Sequence, residues 1–314
     1  MSLLVVAYTR GALNGGGASG ALNGGALGGA LGGALGSASG AASGAAVNNT
    51  AAWPPCAPYS KSATAAARRL ARAAAGRGEF GPPSRRSEHE LRALGEQGRS
   101  VFLSEVTWAS QRWRPGPHAR TVIDKLAASA AKGASAAEVL AAARAARAPP
   151  VALLRELSRR GAPPVAQRVE AQAEFAPVFE ADLCSRFHSL RARRLAGEFE
   201  DQLQAWLARH LSQRPLREAD LRAQQPIGGP LLTPDFLFKT PVEIGGLAIN
   251  WLDAKNYCLY GSPLTAASLQ RQAEKYTRAF GPGAFVFRYG VDPDLPMTHS
   301  LAALGCAALD GRGL

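Results

Sequence analysis

Two carboxylates and one amine carry the most specific chemistry in this sequence. Asp235 follows Pro234 at the head of an apolar run, and Asp253-Ala254-Lys255 closes the second arm of an expected hairpin. Side chains alternate along a strand, so Asp253 and Lys255 share one face while Leu252 and Ala254 take the other. With Asp235 opening the neighbouring strand on the same side, two carboxylates and an ammonium converge. Such a pair of acids, completed by water, is a hard oxygen-lined site suited to Mg²⁺, with Mn²⁺ as a substitute. A metal held there polarises a phosphodiester and helps deprotonate a water. Lys255 would stabilise the nucleophile or the charge developing on phosphorus. A third carboxylate on the preceding helix completes the set. Glu198 and Glu200 both lie on it, about 200° apart around the axis, so one of them faces the sheet. The bland reading is a set of surface charges on an edge hairpin, where an exposed Asp–Lys pair is worth little.

The elements that must position these residues can be read from the pattern. Leu195, Phe199, Leu203, Trp206 and Leu207 fall at helical spacing within Arg191–Leu211 and form a stripe facing a core. Phe236-Leu237-Phe238, Val242–Ile244 and Leu247–Leu252 are short β-rich runs, the last two joined by Gly245-Gly246, a hairpin signal. Ser268–Phe280 returns to helix, Gly281-Pro282-Gly283 turns, and Ala284–Phe287 reads as a buried strand. The outcome is a small mixed α/β (α+β) sheet flanked by helices over about 100 residues. Upstream, Ala65–Ala75, Ser84–Gly98, Thr121–Ala131 and Ser135–Arg160 read as helical. Ser135 caps with Glu138 in a capping box, and Ala148-Pro149-Pro150 breaks the last stretch in two. Helix, tight break, helix over 134–160 is compatible with a helix-turn-helix whose Arg155, Arg159 and Arg160 contact nucleic acid; an ordinary helical hairpin reads the same way.

Several motifs in this stretch match a known family. Pro234-Asp235 followed by Asp253-x-Lys255 resembles the PD-(D/E)xK motif of the restriction-endonuclease-like nucleases. Thr233–Leu237, Pro241-Val242, Trp251–Lys255, Gln272-x-x-x-Tyr276, and Phe280–Gly283 with Tyr289-Gly290 are together similar to the "TPD" family of the codanin-interacting nuclease. Leu216–Ala223 resembles the segment just before that family's TPD. The similarity is dense over 195–290, fainter over 121–190, and absent from the first 60 residues. It implies a restriction-endonuclease-like fold with Asp235 and Asp253 as metal-binding acids, Lys255 as catalytic lysine and Glu200 as the helix carboxylate. Gln272 and Tyr276 occupy matching positions from which they could hold substrate phosphate or orient Lys255, with packing the commoner job for a tyrosine. The resemblance also implies a codanin-like protein partner, and with it a second reading as a catalytically silent adaptor. The chain departs from the pattern in three places. Asp253 stands where the vertebrate member has Glu, Tyr257–Gly261 replaces its Phe-Gly-Asp, and its Cys-rich stretch is reduced to Cys184.

Charge and composition set the frame. The 314 residues carry a net +12, and 61–165 hold 19 bases and 8 acids, so +11 sits on that segment while 166–314 balance at 16 of each. A basic segment attracts a phosphate backbone by counterion release, which favours nucleic acid, DNA before RNA, as partner. A helix-turn-helix DNA-binding protein without catalysis is a third reading, one that leaves Asp235, Asp253 and Lys255 unexplained. The four cysteines lie far apart with no C-x-x-C, and the five histidines show no ligand spacing, so a disulfide framework or zinc cluster is not indicated. No stretch reads as a membrane span. Residues 11–46 repeat Gly-Gly-Ala-Leu and Ala-Ser-Gly units and are expected to be disordered. The expected organisation is a tail over 1–60, a basic helical region over 61–165, a helical connector over 166–194, the nuclease-like domain over 195–290 and a C-terminal tail over 291–314. The expected location is nucleus or cytoplasm, with an organellar address left open by the Arg10-containing start.

Overall fold

A computed structural model of the chain describes residues 49–129, 134–160, 173–224 and 232–314. The expected disorder over 11–46 lies outside the described residues. Serines begin the helices as capping demands. Ser60 accepts the Ala63 N–H at the head of α1 (Lys61–Gly76), and Ser84 accepts the Ser87 N–H at the head of α2 (Arg85–Arg112). After α3 (Pro117–Ser129), the Ser135–Glu138 capping box opens α4 (Ala136–Ala146). Pro150 then begins α5 (Pro150–Arg159), at a position where its missing N–H costs nothing. A 3-10 turn (Ala173–Phe175) and a short helix, α6 (Ala176–Glu180), lead to α7 (Arg186–His210), capped by Ser185.

The basic helical region does not form one body. Helices α3 to α6 gather around Ile123, Val139, Leu153, Leu157 and Val178. Helices α1 and α2 share their core with Leu195, Cys258, Tyr260 and Tyr289, residues of the sheet-bearing part. The buried Cys258 N–H also donates to Ser100 Oγ of α2 at 2.9 Å. A boundary at 165 therefore falls inside the α3–α6 cluster, between α5 and α6, while α1–α2 share the core of the sheet-bearing part.

The sheet is mixed. Strands β1 (Thr50–Ala51), β2 (Leu216–Arg217), β3 (Phe236–Ile244), β4 (Leu247–Lys255), β5 (Gly283–Phe287) and β6 (Cys306–Asp310) assemble in the order β1-β3-β4-β5-β6, with β2 also on β3. β3 and β4 are antiparallel across Gly245-Gly246, whose φ values of 58° and 78° suit the tight hairpin turn that glycine permits. β4, β5 and β6 run parallel. Between them lie α8 (Glu218–Gln224), α9 (Pro263–Phe280) and α10 (Pro296–Ala303).

Alternation sends each strand's side chains to two cores. Leu252, Ala284 and Val286 meet Phe199, Leu203 and Leu207 of α7. Trp251, Phe285 and Phe287 meet Leu269, Ala273 and Tyr276 of α9 and Leu301 of α10. Wholly buried β5 thus fills both layers, which explains its unbroken apolar sequence.

Three expectations change. Phe236–Phe238 and Val242–Ile244 are one strand with a register shift between Leu237 and Val242, because the irregularity absorbs the polar Lys239-Thr240-Pro241 interval. Residues 49–60 are not part of a tail: Thr50 pairs with Glu243 in parallel, and Trp53 packs edge-on against Trp206. Residues 291–314 also leave the tail, supplying α10 and the sixth strand, which screens β5 from solvent.

Gly283 lies against the Trp251 indole so closely that an added Cβ would fall 2.2 Å from the ring. We expect Gly283→Ala to destabilise the fold by about 1–3 kcal/mol through overpacking, read as a lowered midpoint in chemical denaturation.

Candidate active site

The start of β3 and the end of β4 are adjacent because the strands are antiparallel, with Phe236 opposite Leu252. Asp235 precedes that start, and its Oδ2 accepts the backbone N–H of Ala254 at 2.7 Å. Asp253 and Lys255 share a face, as strand alternation requires, and Lys255 Nζ stands 2.5 Å from Asp253 Oδ1. Both are nearly sealed from solvent, with side chains 6% and 12% exposed.

Gln272 of α9 holds the pair. Its Oε1 accepts from Lys255 Nζ at 3.0 Å, and its Nε2 donates to Asp253 Oδ2 and to Tyr276 Oη, each at 3.0 Å. Tyr276 Oη donates in turn to the Thr233 carbonyl oxygen at 3.0 Å, just before Pro234-Asp235. One face of α9 therefore ties the lysine, one acid and the approach to the other acid together. The Lys255 ammonium also lies 5.0 Å from the Phe285 ring centre.

Glu200 comes from the opposite layer, on α7, and its neighbour Glu198 points away to an exposed pair with Arg194. Of the two helix acids, Glu200 is the one at the site. Its Oε2 lies 3.4 Å from Arg217 Nη2 of β2. The same guanidinium donates to Gln204, approaches Asp201 at 3.9 Å and covers the Phe236 ring at 4.7 Å.

The electrostatics follow from burial and crowding. Burial, then the carboxylates of Asp253 and Glu200, push the Asp235 pKa well above the ordinary value, against the pull of Lys255 and the Ala254 N–H. Glu200 is raised by burial and by Asp253, Glu218 and Asp201, with Arg217 opposing. Burial would lower Lys255, but Asp253, Tyr257 and Asp235 outweigh it and hold the amine charged, above its ordinary pKa.

Among the described residues, no group of three His, Cys, Asp or Glu side chains is drawn together as a closed metal site. The donors do fit a hydrated Mg²⁺, which takes one or two protein carboxylates and fills its remaining positions with water and phosphate oxygens. Asp235 and Asp253 are the two that would hold it, with Glu200 nearby. The crowding that raises Asp235 is a repulsion that a cation would relieve.

The other residues singled out from sequence lie elsewhere. Arg155, Arg159 and Arg160 are exposed on α5 and at its end. Arg159 is paired with Glu156 and Arg160 with Asp124, so these two guanidiniums are engaged within the chain rather than presented as a charged row. His188 is buried, with Nε2 on the Glu180 carbonyl at 2.9 Å. Arg217, Glu218 and Thr233 were not expected as neighbours of the site. The resemblance over 216–223 was the signal for the first two, but a two-residue strand has no periodicity by which to orient Arg217.

The family model described as "Protein of unknown function TPD sequence-motif" matches residues 167–303, which contain Glu200, Arg217, Asp235, Asp253, Lys255, Gln272 and Tyr276. A 73-residue stretch is 45% identical to the uncharacterized protein L539 of Acanthamoeba polyphaga mimivirus, covering 22% of this chain and 26% of that protein. The chain thus matches about a quarter of that relative's length. No solved structure matches the chain. No helix among the described residues is long and apolar enough to cross a membrane.

A carboxyl whose pKa is raised by folding costs stability as pH climbs from its unfolded value, about 3.9 for Asp, through its folded value. Asp235→Asn keeps an acceptor for the Ala254 N–H and removes the charge. The variant should therefore melt higher than the parent, with a gain absent near pH 4 and growing as pH rises, by roughly 2–4 °C per kcal/mol relieved. A gain that is largest at low pH would contradict this origin.

Proposed function

We propose that the chain is a Mg²⁺- or Mn²⁺-dependent nuclease with a restriction-endonuclease-like catalytic domain, hydrolysing phosphodiester bonds of nucleic acid, DNA before RNA. The observation that carries this reading is the buried Asp253–Lys255 pair bridged by Gln272 beside Asp235. Burying an ammonium and two carboxylates is costly unless each is well partnered, and an apolar core would serve stability as well. Such an arrangement makes sense as chemistry. The metal, when bound, supplies Lewis-acid polarisation of the scissile phosphate and acidifies a water.

The chain's own groups do the rest. Asp235 and Asp253 provide negative oxygens at the strand ends. Lys255 stays protonated, so its part is to stabilise negative charge on the attacking oxygen or on phosphorus rather than to remove a proton. Gln272 fixes the lysine and Asp253 in one geometry, and Tyr276 anchors Gln272 to the backbone at Thr233. Glu200, half-buried and matched by Arg217, is the acid best placed to join the pair or to orient a water. The net positive helical region suits a polyanionic substrate. The helix-turn-helix reading is weakened by the internal pairing of Arg159 and Arg160.

The test is cleavage of labelled single-stranded, duplex, flap and four-way-junction DNA and matching RNA, with Mg²⁺, Mn²⁺ or EDTA. Activity should require metal and fall by about 10²-fold or more in Asp253→Asn and Lys255→Ala. Gln272→Ala, which removes only the bridge, should cost roughly 10–100-fold. Calorimetric titration should show saturable Mg²⁺ binding that Asp235→Ala abolishes. Absence of both cutting and metal binding would replace the nuclease by an adaptor that keeps the fold and binds a codanin-like protein.

A further inference from the structure

Helix α7 carries Glu200 near its middle, and the face leading back from Glu200 to the helix start is unlike the rest of its surface. Counting 100° per residue, Arg186, Leu190, Arg193, Gly197 and Glu200 fall within an arc of about 80°, turned away from the core stripe of Ala192, Leu195, Phe199 and Leu203. Arg186 and Arg193 are exposed, and Leu190 is 54% exposed, beside Phe187 at 48%. Among the described residues neither Arg186 nor Arg193 shows an ion-pair partner, whereas their neighbour Arg194 is paired with Glu198. Arg193 stands about 10 Å and Arg186 about 20 Å along the axis from Glu200.

Gly197 adds an independent observation. Glycine is the poorest helix former after proline, so a glycine inside a 25-residue helix needs a reason. Packing against the fold is not the reason, because a Cβ there would meet nothing within 4 Å. The bare backbone is what an external chain would need in order to lie close to the helix, one turn before Glu200.

We propose that this face of α7 is the track on which single-stranded nucleic acid lies as it approaches the candidate active site. Arg193 and Arg186 hold successive stretches of phosphate backbone, the strand passes close over Gly197, and Phe187 with Leu190 offers apolar contact to unstacked bases. The occupant is chosen by chemistry. Guanidiniums in a row match phosphates, and exposed aromatic and aliphatic side chains among them suit open bases, which a closed duplex does not present. The proposal rests on the nuclease reading for the direction of approach, but binding can be measured without catalysis.

The full chain would be titrated in EDTA against a short fluorescein-labelled single-stranded DNA, followed by anisotropy, with RNA of the same sequence and a duplex in parallel arms. The variants are Arg186→Glu/Arg193→Glu and, separately, Gly197→Leu, with thermal melting of each. Charge reversal should weaken single-strand binding at least tenfold and flatten the plot of log affinity against log salt by about 1.4, the share of two phosphate contacts. Gly197→Leu leaves every charge in place and improves helix propensity. It should melt at or above the parent temperature yet also bind about tenfold more weakly. Binding unchanged in both variants, failure of the parent to bind either single strand, or tighter binding of the duplex would each overturn the proposal. The two readings fail separately. Binding unchanged in both variants of a parent that cleaves removes the track and leaves the nuclease, whereas binding lost in both variants without cleavage by the parent leaves the track and removes the nuclease.

Discussion

Placing the carboxylate of Asp253 and the ammonium of Lys255 side by side beneath the surface commits much of the surrounding structure. Each ion loses most of its hydration, and their mutual attraction offsets this only where the remaining lone pairs and N–H groups are also satisfied. Gln272 is suited to that task because an amide presents an acceptor and two donors at once. Meeting both ions fixes the rotation of α9 over β4. That rotation in turn places Tyr276 on the Thr233 carbonyl, so the chain entering Pro234-Asp235 is held by the same helix that holds the lysine. Asp235 reaches the other strand directly through the Ala254 N–H. Three elements distant in sequence are therefore aligned by one network of polar contacts, flanked by apolar layers on either side.

The centre of this arrangement was legible in the sequence for a simple reason: alternation along β4 and the glycine pair of the hairpin are local rules. They bring Asp253 and Lys255 to one face and put Asp235 beside them. Helical periodicity likewise gave the α7 stripe, and only long-range packing could choose Glu200 over Glu198. The margins were not legible. Thr50-Ala51 is too short to show any period and follows a low-complexity run, so nothing local marks it as a strand. Cys306–Asp310 is mostly alanine and leucine, which suits a helix as well as a strand until β5 is there to pair with it. Arg217 gains its importance from Glu200 and Phe236, neither of them near it in sequence.

The helical half shows the limit of reading charge by counting. A surplus of eleven positive charges over 61–165 suggested a single gripping region. In three dimensions α1 and α2 are welded to the sheet through Cys258, Tyr260 and Tyr289, and several arginines answer local acids, among them Arg68 with Glu105 and Arg99 with Glu88. The remaining surplus can still attract polyanions at long range. Where a polyanion would be held depends on which guanidiniums stay unpaired and which faces lack packing partners. Arg186 and Arg193 of α7 meet those conditions, whereas Arg159 and Arg160 at the end of α5 do not.

The outer edge of β3 is covered in two pieces, by β2 over Phe236-Leu237 and by β1 over Glu243-Ile244. Between them lies the irregular stretch with exposed Lys239, Thr240 and Pro241, where Gln213 caps the Thr240 carbonyl at 3.1 Å. A proline that cannot donate, a lysine that dislikes desolvation and a side chain already seated on the free carbonyl make this interval a poor template for another strand. Sheets of this kind invite self-association along their open borders, and here the border is interrupted where it would otherwise be longest. Two dipeptide strands and one polar interval thus make this border of the sheet a poor site for edge-to-edge pairing without adding a full strand to the fold.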